Sequence, residues 1–253
     1  MFKKILNNFV KKFGYEVIPS YTLDLKRVPL GTSNEKKEKI QKLDKFTMLS
    51  YRSISVLIDS VEYVVNNKIP GDIIQCGVGQ GGSVMTIAET LVDLGNYEKN
   101  IFLYDTFEGF PEPTKDDINF RNEQASTIKQ RELDKGVTWG LVENMEQVKE
   151  NVFSTKYSKE KFNFIKGKVE NTIPAQIPEQ ISILHLDTDF YESTKHELIH
   201  LYPRLSKNGI LIIDDYGHWS GSKKAVDEYF KDKPKPFFHT ISNNGDIIAV
   251  KNH

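Results

Sequence analysis

Four aspartates stand at the ends of two short apolar runs. Asp187 and Asp189 close Leu184-His185-Leu186-Asp187-Thr188-Asp189, and Asp214 and Asp215 close Ile212-Ile213-Asp214-Asp215. Carboxylates brought close together repel one another unless one is protonated or a cation sits between them. Oxygen donors with no cysteine or obvious histidine partner suit a hard divalent ion, most simply Mg²⁺. If the two runs are neighbouring strands, at least three acids converge, and Asp187 and Asp189 share a side while the chain stays extended. The competing reading is that each acid caps the helix that follows it. A second group is Gly77-Val78-Gly79-Gln80-Gly81-Gly82-Ser83, which follows an apolar run and opens a helical one. Glycines let the backbone turn sharply and approach a ligand, and free N–H groups at a helix start favour an anion. The spacing is G-x-G-x-G-G and not the G-x-G-x-x-G of dinucleotide enzymes, so an amino-acid-like cofactor's carboxylate suits the loop as well as a phosphate does. A tight strand-to-helix turn is the plainer alternative. Asp105 closes a further run, 26 positions after Gly79, where a ribose diol would be hydrogen-bonded; capping the next turn is its alternative.

One motif is a decoy. His196-Glu197-Leu198-Ile199-His200 matches the H-E-x-x-H zinc pattern. It lies within a predicted crossover helix, several residues past the strand end, and nothing nominates a third protein ligand. His218 draws notice only because it follows the aspartate pair.

Apolar runs at 72–78, 101–106, 162–167, 181–189, 210–215, 237–241 and 246–250 read as strands. Helical spacing over 44–66, 82–94, 141–153, 192–205 and 222–230 separates several of them. Alternation of this kind predicts an α/β fold: a doubly wound, mainly parallel seven-stranded sheet covered on both faces. Asn243-Asn244-Gly245 suits a tight turn and predicts a C-terminal antiparallel hairpin. Residues 1–43 read as an N-terminal extension ahead of one main domain at 44–253. The first 13 residues carry apolar positions at 2, 5, 6, 9, 10 and 13, the spacing of a short amphipathic helix that packs on the body, on a partner subunit or on a membrane surface. Leu30 to Lys42, polar and charged, reads as a mobile connection. The long polar stretch from Gly109 to Asn144 reads as a lid over the ligand end of the sheet, with Trp139 as its anchor or as a cover for an adenine. A disordered surface loop is the alternative there.

Composition narrows the classes. The 253 residues suit one large domain. Lysine plus arginine number 34 against 35 acids, a net charge of -1, which offers no footprint for nucleic acid. Charged residues make up 27% and no apolar run is long enough for a transmembrane helix. The lone Cys76 cannot form an intramolecular disulfide, in keeping with a reducing, cytoplasmic setting. The N-terminus and the helix before Pro70 are candidate surfaces for a homo-oligomer.

Several co-linear blocks resemble the macrocin O-methyltransferase family. They are Gly71-Asp72-Ile73-Ile74-Gln75-Cys76-Gly77-Val78-Gly79, Tyr104-Asp105-Thr106-Phe107-Glu108-Gly109-Phe110-Pro111-Glu112-Pro113, Leu186-Asp187-Thr188-Asp189-Phe190-Tyr191-Glu192-Ser193-Thr194, Ile212-Ile213-Asp214-Asp215-Tyr216-Gly217-His218-Trp219 and Lys223-Lys224-Ala225-Val226-Asp227-Glu228-Tyr229-Phe230. The resemblance covers roughly 44–250. It implies a class I methyltransferase sheet and an S-adenosylmethionine- and Mg²⁺-dependent O-methyltransferase acting on hydroxyls of sugars, glycosylated metabolites or glycans. Carried over, Gly77, Gly79, Gly81 and Ser83 would line the methionine part of the cofactor, with Val78, Gly82, Thr106 and Met48 as further cofactor contacts. Asp105 would hold the ribose, Asp187, Asp214 and Asp215 the metal, and Asp189 would act as general base. Gln75 departs from the family's usual Glu, with a consequence for the cofactor's ammonium or a nearby hydrogen bond. Two rival classes are a nicotinamide-dependent oxidoreductase and a catalytically silent subunit of a glycan-assembly complex.

Overall fold

In the computed structural model, which describes residues 10, 12, 26–140 and 144–252, seven strands form one sheet in the order β3-β2-β1-β4-β5-β7-β6. The strands are β1 Asp72–Cys76, β2 Ile101–Asp105, β3 Phe162–Lys166, β4 Ile181–Leu186, β5 Leu205–Ile213, β6 His239–Thr240 and β7 Ile247–Val250. Neighbours from β3 through to β5 pair in parallel, whereas β7 runs antiparallel to both β5 and β6. All six residues of β4 are buried, as a strand covered on both faces requires. Ile73, Ile183, Ile210 and Ile212 point into one apolar layer, and Ile74, Leu184, Leu211 and Ile213 into the other. That division follows from the two-residue period of each strand.

Strand order reverses between β1 and β4, the two neighbours at the centre of the sheet. Ligands bind beyond the carboxyl ends of strands at such a switch point. The backbones come very close there: a Cβ on Gly77 would lie 1.8 Å from the carbonyl oxygen of Asp187, and Gly77 has φ +78°. Glycine is required at this position.

Two expectations fail at the N-terminal side. The stretch read as mobile, Leu30 to Lys42, contains most of helix α1, Asn34–Leu43. Ser33 caps it by accepting the Lys36 N–H at 3.2 Å, and Ile40 and Leu43 have no exposed surface. Lys36, Lys39 and Lys42 pair with Asp59, Asp93 and Glu89 on the two helices beneath it. Two apolar contacts one turn apart thus suffice because the charges find partners on the body. The helix expected over 44–66 is broken. Helix α2 is Tyr51–Asn66, started by Ser50, whose side chain accepts the Ser53 N–H at 3.0 Å. The residues between, Lys45 to Leu49, are left to form a wall of the site. The N-terminal amphipathic segment lies almost wholly outside the described residues, as does the start of the helix expected at Leu141; that helix begins at Met145. No helix among the described residues is long and apolar enough to cross a membrane.

Candidate active site

The carboxyl ends of β1, β2, β4 and β5 open into one cavity of about 620 Å³. Gly77, Val78, Gly79 and Ser83 line it from the glycine loop, Asp105 and Thr106 from β2, and Met48 from the segment before α2. Gly81 and Gly82 stand behind that wall. Gly81, at φ +93°, precedes helix α3 (Gly82–Asp93), and a Cβ on Gly82 would lie 2.6 Å from the Phe46 carbonyl oxygen. Gly81 shapes the loop against Val148 and Val152, and Gly82 seats the Lys45–Leu49 wall. The Asp105 carboxylate accepts N–H groups from Val78 at 2.7 Å, Gly79 at 3.2 Å and Phe107 at 2.7 Å. It clamps the glycine loop while facing the cavity. Gln75 is fully buried behind the loop, where its Nε2 donates to the Gly77 carbonyl at 2.6 Å. A neutral amide can donate in this way and a carboxylate could not.

The aspartates gather at the ends of β4 and β5 in the same cavity. Oxygens of Asp187, Asp214 and Asp215 all lie within 4.8 Å of one another, the only such cluster of potential metal-ligating side chains among the described residues. Asp189 stands beside the trio. Its N–H donates to Asp215 Oδ2 at 3.2 Å, and its Oδ2 accepts the Trp219 Nε1–H at 2.9 Å. The chain does not stay extended through this turn, because Asp189 has φ +68°. The shared side expected for Asp187 and Asp189 is therefore replaced by a left-handed turn that sets Asp189 against Asp215. Burial, then the neighbouring negative charges, push the Asp187 and Asp215 carboxyls well above the usual carboxylate range. Burial also lifts Asp189 to about 7, with Trp219 opposing and the Asp117 charge adding. Asp214 rises to about 8 through burial and then through Asp246 and Asp189. Like charges this close in a poorly solvated pocket hold their protons unless a cation compensates them.

The H-E-x-x-H pattern lies on helix α7, Tyr191–His200, which follows α5, Met145–Phe153, and the short α6, Val169–Thr172. Its Glu197 has no exposed surface and accepts the Thr188 hydroxyl at 3.0 Å, while His196 Nε2 lies 2.9 Å from the Ile173 carbonyl oxygen. Glu197 is thus occupied beneath the aspartate turn and shares no metal site with the histidines. Trp139 does not line the cavity. Its Nε1 donates to the Pro111 carbonyl at 3.2 Å and its ring stacks on Phe190 at 6.3 Å, the anchoring role. Between Pro111 and Trp139 the insertion carries helix α4, Ala125–Asp134.

Residues 26–239 match the macrocin-O-methyltransferase (TylF) family. The chain belongs to that family. It is an S-adenosylmethionine-dependent O-methyltransferase with a class I methyltransferase fold. The chain is 31% identical over 187 residues to the 8-demethyl-8-(2,3-dimethoxy-alpha-L-rhamnosyl)-tetracenomycin-C 4'-O-methyltransferase of Streptomyces olivaceus, covering 72% of this chain and 67% of that one. It is 28% identical over 183 residues to the demethyldecarbamoylnovobiocin O-methyltransferase of Streptomyces niveus, with the same coverages. Among solved structures, the O-methyltransferase NovP superposes with a TM-score of 0.72 at 26% identity, over 82% of this chain and 83% of that one. The nicotinamide and silent-subunit readings both give way to this membership.

Several residues of this methyltransferase's cavity escaped the sequence reading. Lys168, Val169 and Glu170 line it just after β3, where the rule about strand ends already pointed. Lys45, Phe46, Thr47 and Leu49 line it because the expected long helix is broken. Asp246, buried and bonded by the hydroxyls of Ser53 and Ser242, lies near enough to raise Asp214. No local pattern marks it.

Proposed function

We propose that this enzyme methylates a hydroxyl of a sugar or sugar-bearing small metabolite, with a divalent cation, most simply Mg²⁺, held by Asp187, Asp214 and Asp215. The observation that carries this reading is the convergence of three carboxylates within 4.8 Å in the same cavity as the glycine loop. An all-oxygen donor set of this charge fits a hard cation. When bound, such an ion neutralises the cluster and favours ionisation of a hydroxyl brought beside it. S-adenosylmethionine supplies the methyl group: an oxygen–carbon bond forms as the sulfur–methyl bond breaks, leaving S-adenosylhomocysteine.

The chain's own residues supply position and proton traffic. Gly77, Val78, Gly79 and Ser83 form the wall for the amino-acid end of the methyl donor, while Asp105, Thr106 and Met48 line its nucleoside side. Asp189, adjacent to the trio and outside it, takes the proton released by the acceptor hydroxyl. The Trp219 Nε1–H fixes one of its oxygens, so the base is oriented before the acceptor arrives. Displacement at a sulfonium gains most from holding the two reactants in line, which a preformed cavity provides. The names of the two Streptomyces relatives, a rhamnosyl-tetracenomycin and a novobiocin methyltransferase, support a glycosylated acceptor.

The test is calorimetric binding of S-adenosylmethionine and S-adenosylhomocysteine, followed by methylation of a panel of p-nitrophenyl glycosides with Mg²⁺ or with EDTA. Binding of both nucleosides, and turnover of at least one glycoside that EDTA abolishes and Mg²⁺ restores, is the expected result. Turnover untouched by EDTA would remove the cation; methylation of simple phenols with no glycoside accepted would remove the sugar.

A further inference from the structure

The insertion expected to act as a lid is fastened to the catalytic turn by one buried side chain, Asp117. This residue has no exposed surface. Its Oδ2 accepts the Thr114 N–H at 2.6 Å and the Thr114 hydroxyl at 2.8 Å, both within the insertion. Its Oδ1 accepts the N–H of Tyr191 at 2.8 Å. Tyr191 is the first residue of helix α7 and lies two positions after Asp189. The residue before the helix, Phe190, provides no side-chain cap. Asp117 therefore caps α7 from 74 positions upstream, where a negative charge is favoured by the helix dipole and by the free N–H.

Helix α8, Ser220–Tyr229, closes the clasp from a third side. A Cβ on Gly221 would lie 2.0 Å from Asp117 Oδ1 and 3.0 Å from the Tyr191 nitrogen, so the carboxylate fits only because this helical position is glycine. Ser220 exchanges backbone and hydroxyl bonds with Asp116 and Ile118, and Asn119 forms a β-bridge with Trp219. Trp219 is the residue whose indole N–H holds Asp189. The insertion, Trp219 and the turn carrying Asp189 are thus one connected unit.

We infer that Asp117 is a positioning residue, which locks the insertion against the turn carrying Asp189 and so sets the Trp219–Asp189 contact. Its effect on turnover rests on the assignment of Asp189 as base; the clasp does not. The protein has two tryptophans, so Trp139→Phe leaves Trp219 as the only indole reporter. In that background, Asp117→Ala removes the carboxylate, and Gly221→Ala evicts it without altering any polar group. Alanine suits a helix better than glycine does, so Gly221→Ala carries no propensity cost of its own. Both changes are expected to shift Trp219 emission to the red, to raise its quenching by acrylamide, and to leave S-adenosylhomocysteine affinity within about twofold. Asp117→Asn, which keeps an oxygen for the Tyr191 N–H, falls between these variants and the parent. With a glycoside that turns over, kcat falls roughly 10- to 100-fold while the cofactor's KM holds, the scale of loss expected when a reacting group is displaced by about an ångström.

Unchanged Trp219 emission in both alanine variants would overturn the inference. Loss of S-adenosylhomocysteine binding in step with the emission shift would also overturn it, because the defect would then be general. A parent protein that fails to bind S-adenosylhomocysteine would count against the proposed function, and the Trp219 measurement would still decide the clasp.

Discussion

Glu197 lies in the interior beneath the aspartate turn, with the Thr188 hydroxyl shared between its oxygens at 3.0 and 3.1 Å. Burial raises it from 4.5 to about 8, opposed by the Thr188 hydrogen bond and reinforced by the Glu170 charge. Between those two pH values the folded protein holds a proton at Glu197 that the unfolded chain has released. Stability from this group is therefore complete below about pH 4.5, falls as pH rises, and levels off above about pH 8. This is the reverse of the usual surface carboxylate. The slope is about 1.4 kcal/mol per pH unit for one proton. Glu197→Gln keeps the shape and cannot titrate. From pH 5.5 to 7.5 the parent should therefore lose about 3 kcal/mol relative to the variant, two units at about 1.4 each. For a chain of this size that moves the difference in Tm by roughly 5–10 °C. The assay is thermal and urea unfolding of both proteins at the two pH values, with EDTA throughout so that metal occupancy does not vary. Taking the difference cancels the aspartate cluster, which both proteins share. A parent–variant gap that stays constant with pH would refute the reasoning and mean that Glu197 is ionised when folded.

Asp189→Asn should retain S-adenosylmethionine binding and lose about 10²- to 10⁴-fold in kcat, the range for removing a general base; full turnover would end that assignment. Asp214→Ala should weaken the Mg²⁺ dependence, seen as a rightward shift of the Mg²⁺ titration of activity, and an unchanged titration would exclude it as a ligand. Gly77→Ala places a methyl 1.8 Å from the Asp187 carbonyl oxygen, so the end of β1 and the aspartate turn must separate. It should abolish cofactor binding in calorimetry and lower stability by more than about 2 kcal/mol, as expected for forced overpacking at a positive φ.

Much of this enzyme was legible in one dimension because the signals are local. A strand was expected near each of the seven observed, although β5 begins at Leu205, inside the stretch read as helix; a central apolar run covered on both faces needs no partner's identity to be recognised. The Asn243-Asn244-Gly245 turn announced the hairpin, and acids at strand ends pointed to the cavity, because a parallel sheet places every strand's carboxyl end on one side. Fold class, the glycine loop and the four aspartates follow from that geometry.

Other features were settled only by contacts distant in sequence. Helix α1 read as a mobile connection because Ile40 and Leu43 are its only apolar residues, and the partners of Lys36, Lys39 and Lys42, namely Asp59, Asp93 and Glu89, are 23, 54 and 47 positions away. Asp189 looked like an extended-strand neighbour of Asp187. Its left-handed turn places its N–H on Asp215, an interaction with a different strand end. Glu197 matched a zinc pattern that a sequence cannot distinguish from an accident; its burial under Thr188 removes it from any such site. Asp117 bore no signal at all, since a helix cap supplied from 74 residues upstream leaves no trace near the helix it caps. Short-range periodicity and turn chemistry determined which elements form, because their free energies depend on adjacent residues. Which side chain meets which charge, cap or carbonyl was decided only when the chain closed on itself, because those partners become neighbours through the tertiary fold.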